Sequence, residues 1–141
     1  MAWTNTEPIF TGTPAFGIGA AVTAANTATD GTGTVTTIFT ADATNGGFVG
    51  FVKLKPLGTN VASKAYLFVN NGSTNATATN NVMVAEITLP ATTASNTAAL
   101  VELGYNLQLA LPAGYKVNMT IGTAVSAGWI ASVEAGSYTK G

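Results

Sequence analysis

Two runs of alternating side chains near the C-terminal end restrict this chain more than any other feature. Tyr105, Leu107, Leu109 and Leu111 are apolar, with Asn106, Gln108 and Ala110 between them. Tyr115, Val117, Met119 and Ile121 repeat the pattern around Lys116, Asn118 and Thr120. A period of two places one set of side chains on a buried sheet face and the other in water, whereas a helix would scatter both sets around its circumference. Between the runs, Pro112-Ala113-Gly114 offers a proline of fixed φ and a glycine able to take positive φ. The spacing predicts a β-hairpin closed by a three-residue turn, with Leu111 and Tyr115 facing each other on the inner side. A one-residue slip would expose every apolar residue of one strand, so the register is strongly specified.

Further strand-like runs cover residues 18–23, 34–41, 47–54, 65–70, 82–89 and 129–134. With the hairpin they make eight short strands, the spacing of an all-β sandwich or barrel. Asp30-Gly31, Asn45-Gly46-Gly47, Pro56-Leu57-Gly58 and Asn71-Gly72 supply turn residues between them. The run Phe48, Val49, Phe51, Val52 and Leu54 does not alternate cleanly, which suits a central strand covered on both faces or set in a subunit interface. Residues 91–103, rich in Thr and Asn, read as a loop with at most one helical turn. Residues 70–81 hold no apolar anchor and read as a solvated surface loop.

Residues 1–16 differ in character from the rest of the chain. Pro8 and Pro14 exclude a helix or a central strand, yet Trp3, Ile9, Phe10 and Phe16 are bulky and apolar. They read as an extended arm preceding a sandwich domain at 17–141. The arm either packs on its own domain or docks on a neighbour; if the sandwich is complete from Gly17, these four residues are candidate partner contacts.

A chain of 141 residues fits one domain able to fold without staples. Charged residues are 8% of it, five Lys against six acidic residues with no Arg and no His, so no basic footprint suggests nucleic acid. So weakly charged a surface predicts association with other subunits. Without His or Cys the commonest general bases, thiol nucleophiles and soft metal ligands are missing. Ser126 lacks the first glycine of a nucleophile elbow, and Gly17-x-Gly19 and Gly31-x-Gly33 lack the third glycine of a dinucleotide loop. The carboxylates Glu7, Asp30, Asp42, Glu86, Glu102 and Glu134 are scattered, and Asp30 and Asp42 read as turn residues. Trp129 shares a face with Ala131 and Val133, as a core residue would. The expectation is no enzyme, no cofactor and no metal. Met1-Ala2-Trp3 lacks a basic signal-peptide start, and the best apolar run, 15–25, is too short to cross a bilayer, so a soluble protein is expected.

Several stretches resemble the small auxiliary head proteins of tailed bacteriophages. They are Tyr66-Leu67-Phe68-Val69-Asn70-Asn71-Gly72, Glu86-Ile87-Thr88-Leu89-Pro90-Ala91, Leu111-Pro112-Ala113-Gly114-Tyr115, Ala127-Gly128-Trp129 and Gly136-Ser137-Tyr138. The resemblance implies a jelly-roll-like β-sandwich that decorates the outside of a capsid as a cement protein, commonly a homotrimer, with the major capsid protein as partner. It would be made in the host cytoplasm and reside on the virion. The acidic close of similar chains is replaced here by Tyr138-Thr139-Lys140-Gly141. The alternative is a receptor- or glycan-binding module of a head fibre or tail, reading its ligand through residues 70–81 and exposed aromatics.

Overall fold

Eight strands succeed one another in the computed structural model, which describes residues 12–139. They are β1 (Thr13–Ile18), β2 (Thr36–Thr40), β3 (Gly47–Pro56), β4 (Ser63–Asn70), β5 (Asn81–Leu89), β6 (Leu103–Leu111), β7 (Lys116–Ile121) and β8 (Trp129–Ser137), with one 3₁₀ turn at Ala78–Asn80. They form two four-stranded sheets, ordered β1-β8-β3-β6 (sheet A) and β2-β7-β4-β5 (sheet B). Every strand pairing is antiparallel. The protein is therefore an all-β sandwich. Val49, Val52, Leu54, Trp129, Ala131 and Val133 of sheet A pack against Leu67, Leu89, Val117, Met119 and Ile121 of sheet B, all 0–1% exposed.

The pairs are nested: β4 with β5, β3 with β6, β2 with β7 and β1 with β8. Here the expected hairpin at 105–121 is corrected. Both strands and the turn between them exist; Gly114 has φ 76° and the Tyr115 amide donates to the Pro112 carbonyl at 3.2 Å. But β6 pairs with β3 in sheet A, and β7 pairs with β2 and β4 in sheet B. The turn carries the chain from one sheet to the other. Its amides and carbonyls are taken by the neighbouring turn instead: Gly114 N–H donates to Asp42 O at 3.1 Å, and Ala41 N–H to Tyr115 O at 2.8 Å. Alternation and turn chemistry are the same in a hairpin and in such a crossover, so only long-range pairing separates the two.

The first strand also lies elsewhere than expected. β1 begins at Thr13, so residues 13–16 belong to the sandwich and not to an arm, while of the expected 18–23 strand Ile18 ends β1 opposite Ser132 and Val22 makes an isolated bridge to Trp129. Pro14 fits because β1 is an edge of sheet A, where a missing amide breaks no ladder.

The irregular apolar run of β3 has a definite cause. Its register against both β6 and β8 shifts between Val49 and Phe51. Opposite the shift Gln108 takes φ 51° and its Nε2 donates to the Gly50 carbonyl at 3.2 Å. A β-bulge resets the alternation by one residue. Val49 and Val52, three apart, both point inward and are fully buried, while Phe48 and Phe51 are left on the outer face, partly exposed.

At one end of the sandwich a buried asparagine ties three loops together. Asn60, 3% exposed, accepts the Ala127 and Gly128 amides on Oδ1, both at 2.9 Å, and donates Nδ2 to the Gly128 carbonyl at 3.1 Å. Its backbone pairs with Thr92, whose hydroxyl donates to the Gly58 carbonyl at 2.7 Å. Asn60→Ala should therefore strand two amides and cost about 2–4 kcal/mol in urea unfolding. At the opposite seam, β1 passes so close to β2 that a Cβ at Gly17 would run into the Ile38 carbonyl, whereas one at Gly50 would make an ordinary contact at 3.5 Å. Gly17→Ala should cost about 1–3 kcal/mol in the same measurement, and Gly50→Ala distinctly less.

Candidate interaction surface

The two sheets treat their outer faces differently. On sheet B, Tyr66, Phe68, Asn118 and Thr120 point away from the core yet are 0–7% exposed. Residues 26–34 account for this. The strap starts beside β7, where the Asn26 amide donates to the Ile121 carbonyl at 2.8 Å. It reaches the far edge, where Gly31 abuts the side chain of Asn81 at the start of β5. Since the inner face is filled by the core, the strap crosses outside.

Polar side chains hold it there. Asn26 Nδ2 donates to the carbonyls of Thr32 (2.9 Å) and Thr34 (2.8 Å). Asn75 Nδ2 reaches from the β4–β5 loop to the carbonyls of Gly31 (3.2 Å) and Gly33 (2.7 Å). That loop is itself ordered by asparagines. Asn70 Nδ2 donates to Asn81 Oδ1 at 2.8 Å, Asn80 Nδ2 to the Thr74 carbonyl at 2.8 Å, and Asn81 Nδ2 to the Asn75 carbonyl at 3.0 Å. The loop at 70–81 lies at the surface as expected, mostly exposed, but it is ordered: side-chain amides supply what apolar anchors do not. Within the strap Asp30 Oδ1 accepts the Thr32 hydroxyl at 2.6 Å and the Thr32 amide at 3.0 Å. The hydroxyl first, and then the amide, hold the Asp30 carboxyl below its usual 3.8. A depressed carboxylate contributes stability above its unfolded pKa and loses it as pH falls through the folded one, so this turn loosens below pH 3.8. In Thr32→Ala the Asp30 midpoint, followed by NMR of its carboxyl, should move up toward 3.8.

Sheet A has no such cover among the described residues. Its outer face presents Phe16 and Ile18 on β1, 62% and 76% exposed, beside the partly exposed Phe48 and Phe51 on β3 and Ile130 on β8. Phe51 leans over Gly104 of β6, where a Cβ would meet its ring. Covering Phe16 and Ile18 is worth about 1.5–3 kcal/mol each, so the face is adhesive. Glu134 stands among these groups, opposite Phe16 on one side and Phe51 on the other, exposed and without an ion pair among the described residues. Toward the other end Lys53 and Lys55 share one carboxylate, Glu102, at 3.7 and 3.6 Å. Lys64 pairs with Glu86 on sheet B at 3.1 Å, which raises the Lys64 pKa. Among the described residues no group of three metal-ligating side chains comes together, and no helix is long and apolar enough to cross a membrane.

Of the four residues expected to contact a partner, Trp3, Ile9 and Phe10 lie outside the described residues, and Phe16 stands on this outer face. Ile18, Ile130, Glu134 and Lys53 carry no local signal that would single them out by sequence. A signal exists only for Phe48 and Phe51, in the doublets flanking Gly50. No protein-family model matches the chain, nor does any curated protein or solved structure.

Proposed function

We propose that this protein is a structural virion subunit, a capsid decoration or cement protein that binds the outer surface of a bacteriophage head. The observation that carries the reading is the unequal treatment of the two sheets: one outer face is closed by the chain's own loops, the other is left apolar and open by the described residues. A β-sandwich so built is suited to being covered by protein. The nested strand pairing fits the jelly-roll wiring that we infer for it. The stretches that resemble auxiliary head proteins fall in β4, at the end of β5, in the crossover turn and at both ends of β8, and support the same reading.

In this role the protein does mechanical work. The capsid contact would run through Trp3, Ile9 and Phe10 with Phe16 at the foot of that segment, on the major capsid protein. A subunit that bridges capsomers binds the closed shell better than its separated parts. Linkage then stabilises the shell by about 2.7 kcal/mol per site at a hundredfold excess over Kd. The glycan-binding alternative loses its main support, because Asn70, Asn71, Asn75, Asn80 and Asn81 spend side-chain groups on one another and on the strap.

Particles stripped of the protein should rupture at a lower temperature, or under a milder osmotic shock, than decorated ones, and adding it back should restore them. Unchanged rupture would end the cement reading. Trp3→Ala and Phe10→Ala should each weaken co-sedimentation with capsids, by about 2 kcal/mol if they are interface anchors.

A further inference from the structure

We propose that the outer face of sheet A is a two-fold interface with a second copy of this chain, in which Glu134 of each copy pairs with Lys53 of the other. Such a contact is between copies of the chain and stands whether or not a capsid is its partner.

Both charges lie in one apolar field. Glu134 is opposite Phe51, and Lys53, two residues further along β3, is opposite Ser132. The two side chains thus sit diagonally on adjacent strands, about 7–8 Å apart. Glu134 has no ion pair among the described residues, and Lys53 has only a share of Glu102, which also serves Lys55. The patch therefore carries one unmet negative charge and one surplus positive charge. A two-fold axis lying in the plane of the interface, and crossing the line between Glu134 and Lys53 at its midpoint and at a right angle, sets each Glu134 against the opposing Lys53, face to face and twice over. Such self-complementarity is what a two-fold contact requires, since the same patch must serve both sides.

The apolar groups agree with that placement. Phe51 lies beside the axis, Phe48 and Ile130 flank it, and the exposed Ile18 forms the margin along β1. Two sheets meeting in this way pack about 10 Å apart, the distance that side chains of this size fill. An unrelated apolar surface would bury Glu134 with no counter-charge, which is strongly unfavourable. A surface bearing a cation alone would meet Glu134 and leave Lys53 facing it unpaired. A second copy satisfies both.

The test is sedimentation equilibrium of the full chain at about 100 µM and low salt, where charge pairing is least screened. The expected mass is twice 14.1 kDa. Glu134→Lys and Lys53→Glu should each weaken dimerisation at least about tenfold, because each sets like charges together at both pairs. An equimolar mixture of the two variants should regain the dimer, because both pairs are then opposite in sign. Both positions are exposed, and unchanged β-sheet circular dichroism checks that the variants fold. The proposal is overturned by a monomeric or trimeric wild type, by a Glu134→Lys protein that dimerises like the wild type, or by a mixture that stays monomeric.

Discussion

Every strand except the β4–β5 pair must find its hydrogen bonds with a strand distant in the chain, and the rest of the architecture depends on that constraint. Because β3 closes on β6, β2 on β7 and β1 on β8, consecutive strands alternate between sheets, and the short connections become crossovers. Crossovers leave amides and carbonyls at the ends of the sandwich that no ladder uses. Asn60, Thr92 and Asp42 answer that need: the first two join the turns at 57–60, 92 and 126–128, and Asp42 takes the Gly46 and Gly114 amides on its carbonyl and the Thr44 and Asn45 amides on its carboxylate. Buried polar groups of this kind stabilise only when all their partners are present, so they also fix which loop lies against which.

The same chemistry explains how a chain with so few charges covers one of its faces. Thr and Asn are abundant, and many of these polar groups are spent inward. Asn26, Asn70, Asn75, Asn80 and Asn81 bond to carbonyls and to one another, converting a low-complexity loop and an irregular strap into a lid over Tyr66 and Phe68. Sheet A receives no comparable lid among the described residues. Its inner face is completed by Val49, Val52 and Leu54, and the bulge at Gly50 turns Phe48 and Phe51 outward, so its apolar surplus accumulates on the open side.

Much of this is legible in the residues themselves. Period-two alternation locates β6 and β7, Trp129 with Ala131 and Val133 reads as core, and Asp30 and Asp42 are recognisable as turn residues, because each of these depends on near neighbours in the chain. The loop at 70–81 is recognisable as a surface loop, but its order is not, because its anchors are amides and two of their targets, Gly31 and Gly33, lie far away in sequence. The interaction surface is half visible: Phe16 and the Phe48–Phe51 doublets are noticeable, but Glu134 and Lys53 gain meaning only from the register that brings β3 beside β8.

By itself the sequence determined the class of structure, most of its strand segments and its turns, since propensity and alternation are properties of a few adjacent residues. Only the tertiary structure decided which strands pair, that Pro112-Ala113-Gly114 joins two sheets and not two neighbours, and that β1 starts at Thr13. Those outcomes rest on hydrogen bonds and burial between residues far apart in the chain, and a local pattern is compatible with more than one set of distant partners. The bare face of sheet A is of the same kind: a strand's pattern says that one side is apolar, but whether the other side is covered depends on where the remaining chain comes to lie.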